Sequence, residues 1–60
     1  MTVTRRVVQL KYLSRRQRCW INGRRYEVVR QARQTTYVRI VRGEGAGRVV
    51  QLRRTKEVES

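Results

Sequence analysis

The chain has 60 residues with no proline, phenylalanine or histidine and one cysteine; its 16 cationic side chains, all arginine except Lys11 and Lys56, face four glutamates for a net charge of +12. So short a chain makes one domain with a thin core, burying only about 60% of the surface that its unfolded form exposes. One thiol rules out an internal disulfide, the lack of histidine rules out an ordinary four-ligand zinc site, and acid, base or nucleophile chemistry is left only Cys19, Glu27, Glu44, Glu57 and Glu59.

We therefore expect neither enzyme activity nor a cofactor. A lone thiol fits a reducing compartment, cytoplasmic or nucleoid-associated, and no apolar run reaches the roughly 18 residues of a membrane span. Met1 followed by no charged-then-apolar leader suggests a complete chain.

Alternation from Val3 to Leu13 places Val8, Leu10 and Tyr12 on one side and Arg5, Val7, Gln9 and Lys11 on the other, which predicts a first strand. The polar stretch SRRQR, Ser14 to Arg18, reads as a loop. Asn22-Gly23 then lies between Cys19-Trp20-Ile21 and a β-branched, tyrosine-bearing run to Val29, the preferred pair for a two-residue type I′ hairpin. Such a turn sets Ile21 opposite Arg24, Trp20 opposite Arg25 and Cys19 opposite Tyr26. Gln31 to Gln34 reads as a connection, Thr35 to Arg42 as a fourth strand, Gly43 to Gly47 as a turn, and Arg48 to Arg54 as a fifth strand.

These elements predict an all-β domain over residues 1–54, a five-stranded antiparallel meander curled into a small barrel, SH3-like or OB-like in size. Residues 55–60 read as a flexible C-terminal tail. The expected inward set is Val8, Leu10, Tyr12, Cys19, Ile21, Tyr26, Val28, Val38, Ile40, Val50 and Leu52. Trp20 then falls on the outer side with Arg25 and Glu27, unless a bulge in the hairpin reverses the faces.

Guanidinium groups fork onto phosphates and stack on rings where an ammonium cannot, so an arginine excess of this size points to a polyanion. Two groups of candidates emerge. Arg25, Arg39 and Arg53 come from successive strands beside Trp20 and Tyr37, a basic face interleaved with aromatics. Arg15, Arg16 and Arg18 form a basic loop, with Arg5, Arg6, Arg24 and Arg25 as neighbours, suited to a groove or a narrow minor groove. Trp20 reads equally as the largest core side chain, Tyr37 and especially Tyr26 read first as core side chains, Cys19 reads as a small inward hydrophobe, and Glu27 as a charge partner for arginines. The glycines from Gly43 to Gly47 are followed by a valine-rich strand instead of a helix, so they make a turn and not a phosphate cradle.

The stretch VRIVRGEGAGRVVQL, residues 38 to 52, resembles the glycine-bearing hairpin of KOW-type small barrels in RNA- and ribosome-associated proteins, without that family's last glycine. TRRV at the start and the later YVRI resemble the carbon storage regulator family of translational repressors, whose C-terminal helix has no counterpart here. In size, charge and strand content the chain is similar to small basic chromatin proteins of thermophilic archaea. The expectation is a monomeric or homodimeric protein that binds nucleic acid, double-stranded DNA before RNA, with low sequence specificity and a chromatin-like or regulatory role. No membrane or small-molecule substrate is expected. The alternatives are an RNA-binding, ribosome-associated or translational regulator, and a small viral or plasmid protein that docks on an acidic protein.

Overall fold

The computed structural model describes residues 6–60. Its strands are β1 (Val7–Gln9), β2 (Arg18–Ile21), β3 (Arg24–Gln31), β4 (Thr35–Ile40), β5 (Val49–Arg53) and β6 (Glu57–Glu59), with a single 3-10 turn, η1 (Leu10–Tyr12), after β1. They form one antiparallel sheet in the order β1-β6-β2-β3-β4-β5, curled into a half-barrel. The all-β expectation holds, with six strands in place of five.

The hairpin forms where Asn-Gly demands it. Asn22 and Gly23 have φ values of 52° and 78°, the left-handed pair of a type I′ turn, and the ladder runs Ile21 to Arg24, Trp20 to Arg25, Cys19 to Tyr26 and Arg18 to Glu27. No bulge interrupts it, so Trp20 does take the outer side.

The sixth strand corrects the reading of residues 55–60 as a flexible tail. Val58 is buried opposite Val8, Trp20 pairs with Glu59, and the backbones of Arg6 and Ser60 exchange two hydrogen bonds. One apolar residue between two glutamates is too short a pattern to announce a strand. Its cause lies in pairing with residues some fifty positions earlier in the chain.

The first strand is also shorter than its alternation suggests, ending at Gln9 where η1 begins; residues 1–5 of that expected strand lie outside the described residues. The turn closes through the Leu13 amide donating to the Leu10 carbonyl at 3.0 Å, and drops Leu10 and Leu13 together into the core. Tyr12, expected inward, is thereby swung out and is 71% exposed. A three-residue turn converts period two into period three, and the side-chain assignment shifts with it.

Leu10, Leu13, Cys19, Val28, Val38 and Val58 form the core cluster, with Val8, Ile21, Tyr26, Val50 and Leu52 packed against it. One irregularity organises its edge. In β3 and β4 Val28 pairs with Val38, but Tyr37 pairs with Arg30, so Val29 is the extra residue of a β-bulge. Without the bulge Gln31 would point outward; with it, Gln31 pairs with buried Thr36 on the core side. Its Nε2 donates to the carbonyls of Leu10 at 2.7 Å and Leu13 at 3.0 Å, while its Oε1 accepts from the Thr36 hydroxyl at 2.6 Å. The residue expected to open a connection is instead the clamp that fastens η1 to the sheet.

Candidate nucleic-acid interface

Alternation and the bulge together decide which arginines share the outer face. Reading across the ladder, Trp20 lies beside Arg25; Arg18 beside Glu27, Arg39 and Val49; Arg30 beside Tyr37 and Gln51; and Thr35 beside Arg53. The face thus gathers Arg18, Arg25, Arg30, Arg39 and Arg53 from four adjacent strands, which at about 4.8 Å per strand span roughly 14 Å. Glu27 is the one carboxylate within β2 to β5. Two of the other three acids, Glu57 and Glu59, sit on β6. Charge is therefore graded across the sheet, acidic at β6 and basic from β2 to β5.

Glu27 does not neutralise the face so much as pin one of its members. Its Oε1 accepts from Arg39 Nη2 at 2.5 Å in a pair open to solvent on the arginine side. Such a pair is worth about 0–1 kcal/mol, enough to bias one rotamer of Arg39.

The two rings are held differently from open stacking platforms. Trp20 and Tyr37 are half-buried, the Arg25 guanidinium lies 5.5 Å over the Trp20 ring and the Arg30 guanidinium 4.7 Å over the Tyr37 ring. Strand alternation sets both rings on the outer side, although residue type favours a core role for Tyr37 and leaves Trp20 open between the two; the sequence misses Arg30, because only the bulge brings that residue over Tyr37. A guanidinium stacked on a ring keeps its N–H donors directed around its rim, so it remains available to phosphate oxygens.

The loop cluster is tied down. Gln17 donates to the Ser14 carbonyl at 3.1 Å, the Ser14 amide donates to Gln17 Oε1 at 3.0 Å, Arg16 donates to the Val28 carbonyl at 2.7 Å, and Val28 donates back to Gln17 at 2.9 Å. Arg16 takes φ 72° to do so, a left-handed conformation that costs a non-glycine residue about 1–2 kcal/mol. Arg15 and Arg16 then line one depression with Glu27, Val28, Val29 and Arg39, so loop and face candidates merge there. Arg24 is paired with Ile21 and sits at the lip of the hairpin, lining a groove with Trp20, Arg25, Arg42 and Glu44. Alternation does not mark Arg42, whereas its place just before the Gly43 turn identifies it as end-of-sheet charge. Arg5 lies outside the described residues.

Elsewhere the chemistry is sparse. Burial pushes the Cys19 thiol up from 9.0 to about 11, so at neutral pH it is a packed, protonated side chain. Among the described residues no three His, Cys, Asp or Glu side chains cluster as metal ligands, and no helix is long and apolar enough to cross a membrane. Compared with protein-family models, with curated proteins and with solved structures, the chain matches none.

Proposed function

We propose that the outer face binds the phosphate backbone of double-stranded DNA with little sequence specificity, in a chromatin-like or regulatory role. The observation that carries this reading is the arrangement of Arg18, Arg25, Arg30, Arg39 and Arg53 on one side of four adjacent strands. A width of about 14 Å compares with the roughly 12 Å of the major groove, so charges at the two margins of the face meet phosphates on both of its walls.

The covered rings favour a duplex over a single strand. Single-strand binders expose aromatic platforms to unstacked bases, whereas here each ring carries a guanidinium. Stacking that arginine on a ring fixes a side chain that would otherwise lose much rotamer freedom on binding. In a duplex the bases are already paired, and fixed cations are what the backbone can use.

The experiment is a mobility-shift series on duplex DNA, duplex RNA and single strands across a salt gradient. If each of the five arginines releases one counterion equivalent, log affinity falls against log salt with a slope of about −4.5, or some 500-fold between 50 and 200 mM. A slope near zero overturns the reading. Preference for duplex RNA moves the proposal to A-form helices, and retention of one acidic protein after nuclease treatment replaces it with a protein partner.

A further inference from the structure

At the end of the sheet away from the Asn22-Gly23 and Gly43–Gly47 turns, four cationic side chains from three separate segments converge. Lys11 of η1, Arg33 of the β3–β4 turn, and Arg53 and Arg54 at the end of β5 line one depression together with Gln34, Thr35 and Thr55. No carboxylate lines it. Like charges gathered from distant parts of a chain repel, and nothing in the folding of a +12 domain rewards bringing them together.

The geometry holds them there. The Lys11 amide donates to the Arg54 carbonyl at 2.9 Å, the Leu10 amide to the Lys56 carbonyl at 3.0 Å and the Arg54 amide to the Gln34 carbonyl at 3.3 Å. Through these bonds η1, the β3–β4 turn and the β5–β6 turn form one rigid frame, which the Gln31 clamp fastens to the sheet. Arg54 is only partly satisfied by protein. Its Nη1 donates to the Arg33 carbonyl at 3.2 Å, while its Nε is buried and has no protein acceptor. A buried charged donor left without an acceptor costs more than an ordinary lost hydrogen bond, and an oxyanion in the depression supplies the missing one once the Arg54 side chain turns its Nε–H out to meet it.

We infer that this pole is a phosphate-binding site, in which Arg54 and Arg33 face a phosphate group, Lys11 adds a point charge and the Thr55 and Thr35 hydroxyls add neutral donors. It deepens the reading of the outer face, which it meets at Arg53, and rests on that reading only for the source of the phosphate. The chemistry is the same whether the group is free, terminal on a strand or internal to a backbone.

The test is a titration of the isotope-labelled protein, following arginine Nε–H resonances, with inorganic phosphate against chloride at equal ionic strength. The Arg54 Nε–H signal is expected to shift saturably while those of Arg25 and Arg39 move no more than in chloride. Arg33→Ala with Lys11→Ala, both exposed positions, is expected to reduce the affinity at least tenfold with the strand resonances unchanged; Arg54→Lys, which keeps the charge and removes the fork, does the same when the titration is followed at the Arg33 Nε–H. Oligonucleotides with and without a 5′-phosphate distinguish the sources: response to the phosphorylated strand alone assigns a terminal phosphate, response to both an internal one, and response only to inorganic phosphate a small free ligand. An Arg54 signal that follows ionic strength alone, in every arm, overturns the site. That failure is separate from a failure of duplex binding, which the mobility shift reads and which substitutions of Arg25 and Arg30 alter without touching this pole.

Discussion

Replacing Gln31 by leucine tests whether the fold depends on a polar clamp in a core too thin to hold itself. The substitution removes two hydrogen bonds to the carbonyls of Leu10 and Leu13 and orphans the hydroxyl of Thr36, which has no exposure to solvent. The Leu10 carbonyl keeps the Leu13 amide as a second donor, so its loss is slight. The Leu13 bond at about 1 kcal/mol and the stranded hydroxyl at about 1–3 kcal/mol give a destabilisation of roughly 3 kcal/mol. A domain of this size has only about 3–9 kcal/mol in total, so the midpoint of thermal unfolding should fall by something like 12–24 °C. Urea unfolding of Gln31→Leu, Thr36→Val and the double variant measures this and isolates the coupling. Because the second substitution removes a partner already lost, the double variant should be more stable than the sum of the two singles by at least about 1 kcal/mol. A Gln31→Leu cost below 1 kcal/mol, or strict additivity, refutes the clamp.

Val58→Ser should cost about 2–3 kcal/mol in urea unfolding, since it removes a buried side chain and strands a hydroxyl; a cost near zero would mean residues 57–59 are not an integral strand. Glu27→Gln should tighten duplex binding about twofold at low salt, the value of one like charge some 8 Å from a phosphate in water, and weaker binding in a filter or mobility-shift assay would contradict the placing of Glu27 on the face. Cys19 is an acid whose folded pKa is raised, so its proton stabilises the fold below the unfolded value and stability is lost as pH climbs from 9.0 toward about 11; unfolding midpoints of Cys19→Ala should fall less over that window than those of the parent. Added salt should raise the unfolding midpoint of the free protein by screening its +12 charge while it weakens nucleic-acid binding, and a midpoint insensitive to salt would show that self-repulsion is not a significant strain on the fold.

What the sequence makes legible here is whatever is local. Asn22-Gly23 dictates its own turn, the turn dictates the register, and the register alone puts Trp20 and Arg25 on one side and Cys19 and Tyr26 on the other. Alternation likewise places Tyr37 and Arg39 of β4 and Arg53 of β5 on their faces. Three features escape this logic because their causes are non-local. β6 is short and mostly charged and exists through Val8 and Trp20; η1 breaks a strand whose alternation continues through Tyr12; and the Val29 bulge leaves no mark on composition. Arg33 and Arg54 are invisible as a pair for the same reason, twenty-one residues apart and joined by one side-chain bond.

The bulge at Val29 is the point at which these surprises share a cause. One extra residue in β3 reverses the facing of everything after it, so Arg30 goes out over Tyr37 and Gln31 comes in beneath η1. The outward consequence completes the basic face, adding a fixed guanidinium in the row between Arg39 and Arg53. The inward consequence anchors η1, and the Lys11 amide of that turn is bonded to the Arg54 carbonyl in the frame of the pole. Shift β3 back by one residue and Arg30 would enter an apolar core while Gln31 faced water, costing a buried charge and the clamp together. The place of Arg30 on the face and the anchoring of η1 beside the pole thus depend on one backbone irregularity, and bulges are used in sheets to re-aim side chains in this way. It follows that the arginines most informative about function in this chain are the ones whose placement depends on it, Arg30 and Arg54, ahead of those that simple alternation sets on the surface.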